Sequence, residues 1–563
     1  MAIDLVLRGG TVVDGSGQQA FTADVAVKDG RIAEIGKVAE KGAREIDADG
    51  LLVTPGFIDG HTHFDAQINW DPLGTSSCWH GVTSVVMGNC GFSIAPVKKK
   101  KEALVVRNLE RAEDISASAM AEGIEWGWET FTEYLDFVEK LPMGINYAAQ
   151  IGHSALRTWA MGDRAFTETA SAEDLEKMDR ELAAALDAGA TGFSTSRSPH
   201  HETSDDRPVA SRLADWNEVT RLVSTVGKRQ GIFELALERT GEPEVRANFW
   251  KRLQDLSVST GAQITFGVLP AGKRENWMAE LEALNATNAA GGKMIGQTHS
   301  RGIAVLQSFQ TQLGFDVLPE WQEVRSRPLD EQKVLLRDPE VRTRLIHAAH
   351  HGEYGRSIGA EVRAPQWDML RVYKGALPPH PMVVDVARER GVDPVECMID
   401  LALESDLQQW FLTASLVMAE DDLLAVMKHP HTVMTFSDTG AHVSQIADCC
   451  IQTHLLAYWA REKGEFTTEE AVRMITAVPA AAWGFSDRGL LKPGMVADIN
   501  LIDFARLSPG IPQVVRDLPG GSLRVIMKPD GVRATMVAGE VVLEDGEHTG
   551  ALPGRLLRRR VPA

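Results

Sequence analysis

Nowhere in the 563 residues do about 18 apolar residues follow one another without interruption, so no membrane-spanning helix is expected. The N-terminus, "MAIDLVLRGGTVVDGSG", lacks the basic stretch and the apolar core of about 7–15 residues that mark a signal peptide. Cysteine is scarce: Cys78, Cys90, Cys397, Cys449 and Cys450 are odd in number, and the adjacent last two are poor partners for each other. That usage fits a reducing, cytoplasmic setting better than secretion. Positive charge is in deficit, with a formal net charge of −20, which argues against nucleic acid or an anionic membrane as the main partner. A Gly-rich phosphate fingerprint near a first strand is also missing, so an open doubly wound sheet gains no support. What remains, 44% apolar and 24% charged residues, is ordinary for a soluble globular protein.

Both ends of the chain read as short strands. "DLVLRGGTVVD" and "DVAVKDGRIAEIG" near the start alternate apolar and polar residues between GG and DG turns. "VADINLIDF" and "VRATMVAGEVVLEDGE" near the end have the same texture. The expectation is a small β-sandwich built from residues 1–53 and 485–563, flanking a middle domain over 54–484. In that middle, strand-like segments ("LLVTPGFIDGH", "TSVVMGNC", "INYAAQIGH", "TGFSTS", "GIFELAL", "QITFGVL", "KMIGQTH", "TVMTFSD") alternate with helices. One helix, "SAEDLEKMDRELAAALDAGA", opens on a Ser cap and an acidic first turn and stops at Gly189. Eight such units predict an α/β fold, a (β/α)8 barrel. The stretch from about 300 to 430 is too long for one crossover and reads as a helical insertion, a lid or subdomain beside the barrel mouth.

In such a barrel the chemistry sits at the C-terminal ends of the strands. There stand His61 and His63 on the first, Cys90 on the second and His153 on the third. Glu234 lies in the fifth, with His299 ending the seventh and Asp438 the eighth. Residues i and i+2 of a strand share a face, so "HTH" presents two imidazoles together, half of a site for a divalent cation; on spacing alone, a pair capping a strand at the surface fits equally. A cation there would lower the pKa of a water and polarise a carbonyl, and Asp438 could ligate it and take the proton. Each residue has a plainer alternative. Cys90 could be an inert buried thiol, although Gly88 and Gly91 beside it suggest a tight backbone that favours a ligand. His153 suits a structural role, Glu234 could pair with an arginine, and His200 and His201 lie on a polar loop. The "KKKK" at 98–101 reads as a solvated helix start, and His347, His350 and His351 as surface residues.

Seven collinear motifs, "PGFIDGHTHFD", "GVTSVVMGNCGFSIAP", "IGHSALR", "GATGFSTS", "TFSDTGAH", "LLKPGMVADINLID" and "HTGALPGRLLR", resemble the N-acyl-D-amino-acid deacylases of the amidohydrolase superfamily. The resemblance runs along nearly the whole chain. It implies a zinc-bearing (β/α)8 barrel with a β-sandwich from both chain ends, one or two Zn2+ ions (another divalent metal would serve), and amide hydrolysis by metal-activated water. Matched by motif, His61 and His63 are first-strand ligands, Cys90 is the thiolate ligand, and Asp438 is the last-strand ligand and general base. His442 would hold substrate or the attacking water. The chain departs from the family at strands five and six, where each deacylase strand supplies a metal-binding histidine. Here "GIFELALERT" and "AQITFGVLPAG" contain none. The second-metal site is therefore absent, or rebuilt with Glu234, His299 or a residue of the lid.

The function this implies is cleavage of an N-acyl amino acid, D-configured in the family, or of a similar small amide. Hydrolysis of a cyclic amide or lactone is the enzymatic alternative, and a barrel scaffold that has lost hydrolysis is the alternative of another class. A substrate carboxylate would want a guanidinium, for which Arg197 after strand four and Arg301 after strand seven are candidates, with His153 a further substrate contact. Exposed apolar lid surface would suit a homo-oligomer.

Overall fold

The computed structural model describes residues 3–238, 242–359, 361, 363–414, 419–445 and 448–559. Eight parallel strands form the barrel: Phe57–Asp59, Val82–Met87, Asn146–Gly152, Gly192–Ser196, Ile232–Ala236, Gln263–Gly267, Lys293–Thr298 and Thr432–Met434. They are called barrel strands one to eight below. Buried on both faces, they read as near-continuous apolar runs, as parallel strands between helices must. Closure does not come from pairing of strands one and eight themselves. Their continuations close the ring, His61–Thr62 running parallel to Phe436–Thr439 with a register shift between Phe436 and Thr439. That bulge carries Asp438 and re-aims it toward the first strand.

The helix after strand three behaves as its sequence predicts. It spans Ala172–Asp187, capped by a reciprocal Ser171–Asp174 box, and buries Met178, Leu182 and Leu186. The two chain ends meet in one network of nine strands, from Ile3–Val12 through Leu52–Pro55 to Ile499–Ile502 and Glu547–His548. Alternation along Ile3–Val12 sends Leu5 and Leu7 into one apolar cluster and Val6, between them, into another, so both faces are covered.

The insertion is helical where expected, with helices such as Pro319–Arg325, Pro339–His351, Val383–Arg390 and Pro394–Glu404. It also contains what periodicity did not suggest, a three-stranded antiparallel sheet of Ala304–Gln307, Phe411–Ala414 and Leu370–Val372. These strands are only three or four residues long, too short for a readable alternation. Phe315, Trp321, Leu345, Met398 and Phe411 give the insertion its own core. No helix among the described residues is long and apolar enough to cross a membrane.

Candidate metal centre

The turn after barrel strand two explains why glycine brackets Cys90. Gly88, Cys90 and Gly91 have φ of 83°, 55° and 80°. A Cβ on Gly88 would stand 2.1 Å from the Gln150 carbonyl oxygen, and one on Gly91 2.7 Å from the Ser196 nitrogen. The chain therefore folds back tightly between strands three and four and pushes the thiol inward. Asp65 anchors the turn by accepting the Gly88 N–H at 3.0 Å, and Glu234 Oε2 accepts the Cys90 N–H at 2.7 Å. Cys90, Asp438 and His442 are non-glycine residues at positive φ (55°, 59° and 47°), a costly conformation that three neighbouring residues of one site share.

Five side-chain donors stand in a row at the barrel mouth. Cys90 Sγ is 3.4 Å from His61 Nε2, which is 3.5 Å from Asp438 Oδ1. Asp438 Oδ1 is 3.1 Å from His63 Nε2, which is 3.6 Å from Glu113 Oε2. Donors bound about 2.0–2.3 Å from a shared tetrahedral zinc ion stand roughly 3.3–3.8 Å apart, so these spacings suit a cation. The angles agree: neither ring nitrogen of His63 makes a hydrogen bond despite its near contacts. Atoms this close that do not point at each other converge on a common centre instead. Two groups of three bring their donor atoms within 4.8 Å of one another, His61–His63–Cys90 and His63–Glu113–Asp438.

The charge balance points the same way. Asp65, Glu113 and Glu234 are buried beside the row, and Asp438 completes a set of four carboxyls. Burial drives the Glu113 and Glu234 carboxyls up to about 8 and the Asp65 carboxyl up to about 7. Burial and then the neighbouring carboxylates raise the Cys90 thiol well above its usual range. Burial would also lower His63, but the Glu113 and Asp438 carboxylates outweigh it and lift the imidazole to about 10. Burial wins at His61, which falls to about 4. Without a cation, His63 thus carries the compensating proton, and a bound cation would replace it. These residues fit a divalent metal ion.

His61 is aimed from behind by Gln297, whose Oε1 lies 2.6 Å from Nδ1. Gln297 in turn donates to Thr265 Oγ1 at 3.0 Å, which fixes its amide so that the oxygen faces the imidazole. His61 therefore donates from Nδ1 and keeps the Nε2 lone pair for the row. Gln297→Leu is expected to weaken zinc binding about 10- to 100-fold with the fold intact, read by competition with a chromophoric chelator.

The row opens into a cavity of about 310 Å³ lined by His61, Cys90, Glu113, Glu234, Asp438 and His442, with Leu235, Leu237, Leu269 and Phe436 as its apolar side. His200 and His201 also line it, because the loop after strand four folds back over the mouth; His200 stays exposed, as its polar loop suggested, whereas His201 is half-buried. His201 Nδ1 sits 2.8 Å from Ser196 Oγ, and its ring packs on Phe92. Glu234 stands at the site, its Oε1 4.0 Å from His61 Nδ1, but it faces the non-ligating nitrogen and spends Oε2 on the Cys90 backbone. His299 is buried with neither nitrogen hydrogen-bonded, and Phe436 packs against both it and His61. It lies outside both donor groups.

Three other candidates lie away from the cavity. His153 spends both nitrogens in the interior, on Thr195 Oγ1 and Glu218 Oε1, each at 2.8 Å. Arg197 pairs with Glu238 at 3.1 Å and lies over Trp216. Arg301 is turned to a second cavity beside His380 and His454, held by Asp448 at 3.4 Å and Cys450 Sγ at 3.1 Å. The Arg or Lys among the described residues that does line the metal cavity is Arg363, from the insertion.

Sequence reasoning missed Glu113, Gln297 and Arg363. A polar residue inside the buried "KMIGQT" strand was the available signal for Gln297. Glu113, in the charged stretch "LERAEDIS", and Arg363, deep in the insertion, carry none.

Residues 44–543 match the profile of the amidohydrolase family. The D-aminoacylase of Alcaligenes xylosoxydans xylosoxydans is 27% identical, over 99% of this chain and 98% of that protein. Among solved structures, a D-aminoacylase described for its binuclear metal centre superposes with a TM-score of 0.66 at 24% identity, over 99% of this chain and all of that one. The N-acyl-D-glutamate deacylase of Bordetella bronchiseptica, solved with zinc and a phosphonate that mimics the tetrahedral intermediate, gives 0.65 at 22% identity over the same shares. Both share the fold.

Proposed function

Since the chain belongs to the amidohydrolase family, we propose that it cleaves the amide bond of an N-acyl amino acid with water, at the donor row of the barrel mouth. One observation carries the reading: buried imidazole, thiol and carboxylate donors converge, with neither ring nitrogen of His63 hydrogen-bonded, at the end of a cavity whose guanidinium among the described residues is that of Arg363. Divalent metal at this row, held by donors drawn from His61, His63, Cys90 and Asp438, would polarise the acyl carbonyl and acidify a water beside it.

The protein's own groups do the rest. The Asp438 carboxylate, kept anionic because the neighbouring imidazoles more than offset its burial, takes a proton from the attacking water. As the C–N bond breaks, the same carboxyl returns that proton to the departing nitrogen. His442, on the same loop, faces the cavity and can hold the substrate carbonyl or the water. Leu235, Leu237, Leu269 and Phe436 exclude solvent from the acyl group.

The free carboxylate of an amino acid product calls for a cation, and Arg363 supplies one. Its guanidinium donates to the Gly359 carbonyl, and among the described residues no carboxylate is paired with it. Arg363→Ala is expected to raise KM for N-acyl amino acids about 10- to 100-fold, the loss of a charge-assisted pair worth about 1.5–3 kcal/mol. The same change should leave neutral N-acyl amino amides nearly unaffected. Equal effects on acid and amide would remove the assignment.

The reading is tested with a panel of N-acetyl D- and L-amino acids beside a hydantoin and a lactone, with bound metal measured on the same preparation. Release of free amino acid, lost with a chelator and restored by zinc, is the expected result. Turnover confined to the cyclic compounds, or none at all, would overturn it.

A further inference from the structure

Glu113 is not on a barrel strand, yet it reaches the donor row. It follows the helix Glu102–Leu109, in the long connection after barrel strand two. Three ties hold its segment in place. The Glu113 carbonyl accepts the His442 N–H at 2.6 Å. Asp114 accepts from Ser444 Oγ at 2.7 Å and Gln445 Nε2 at 3.0 Å, locking the segment to the loop that follows Asp438. Arg111 pairs with Glu361 of the insertion and Asp206 of the strand-four loop, both at 2.6 Å. So held, the Glu113 side chain is 2% exposed, with Oε2 3.6 Å from His63 Nε2 and 3.9 Å from His442 Nε2. Its other oxygen, Oε1, is buried and has no hydrogen-bond partner.

A carboxylate serving only to neutralise His63 gains nothing from an oxygen left desolvated and unbonded, a state that carries a free-energy cost. Nor does the cavity offer a histidine where strands five and six end, since Ala236 and Gly267 line it there. We infer that Glu113 is a metal ligand of this chain, replacing the absent histidines, and that with His63 and Asp438 it forms a second, oxygen-rich cation position beside the Cys90–His61 end. One imidazole nitrogen serves one cation, and the His63 Nε2 contacts at 3.1 and 3.6 Å assign it to the carboxylate end. The two positions then differ in chemistry. Thiolate and imidazole at the Cys90 end select zinc, whereas two carboxylates and an imidazole accept a harder ion such as Mn2+ more readily.

This inference rests on the metal-hydrolase reading, and the experiment separates the two. Wild type and Glu113→Gln are stripped, titrated with Co2+ and, separately, loaded with Zn2+ followed by Mn2+, and metal is counted per chain. Wild type should take two equivalents, the second exchangeable for Mn2+. Glu113→Gln should bind the second at least about tenfold more weakly. The thiolate-to-cobalt charge-transfer band of Cys90 should persist in Glu113→Gln and vanish in Cys90→Ser. Melting of the metal-free proteins reports whether Glu113→Gln is folded, and Glu113→Asp, which keeps the charge, is the substitute if it is not. Equal second-site affinities in wild type and variant would overturn the assignment, as would a wild type that saturates at one equivalent. In either case, metal-dependent amino acid release would leave the hydrolase reading standing. A wild type that binds no cation would remove both.

Discussion

Asp438→Asn is expected to lower kcat/KM for the best N-acyl amino acid by about 10²–10⁴-fold, the usual contribution of a positioned general base. Asparagine is the informative replacement because it changes little else. Asp438 has φ of 59°, and asparagine tolerates that region better than other side chains. The amide oxygen can still face His61 and His63, now 3.5 and 3.1 Å from Oδ1, but it cannot take a proton from water. Bound metal should therefore fall much less than turnover. Metal content and steady-state kinetics on one preparation decide the matter. A loss below tenfold with metal retained would mean that another group lining the cavity, such as Glu113 or Glu234, accepts the proton.

The largest effect on stability is expected at Gly88. Alanine there must adopt φ of 83° and bring its Cβ within 2.1 Å of a backbone oxygen in barrel strand three. A backbone neighbour cannot rotate away, so the turn itself must move, at a cost of at least about 3 kcal/mol. Moving the turn displaces Cys90 and breaks the Asp65 contact, so metal should be lost with stability. Gly391→Ala is the control. Its φ is also positive, at 69° in the left-handed region, but nothing lies within 4 Å of the added carbon, and a cost of about 1–2 kcal/mol is expected. The comparison of melting midpoints and metal content separates backbone strain from the clash. Equal shifts for the two variants would mean that the strand-two turn is not held as tightly as its contacts imply.

His61, His63, Cys90 and Asp438 could be picked out of the sequence because each ends a strand of readable hydrophobic run, and a barrel gathers its strand ends on one face whatever lies between them. Gly88 and Gly91 announced the tight turn because few other residues can take that backbone. The repeating strand–helix pattern determined the barrel for the same reason: periodicity is local, and local patterning reports which face of an element is buried.

What tertiary structure decided is how far elements distant in the chain reach. Glu113 comes from a connection, Gln297 from the seventh barrel strand and Arg363 from the insertion, and no period or spacing ties any of them to residue 61. Arg197, Arg301 and His153 are near strand ends in sequence, yet their partners, Glu238, Asp448 and Glu218, turn them away from the mouth. A strand end determines where a backbone arrives. Which way a side chain then points is settled by the charge and space it meets there, and those are supplied by residues tens to hundreds of positions away.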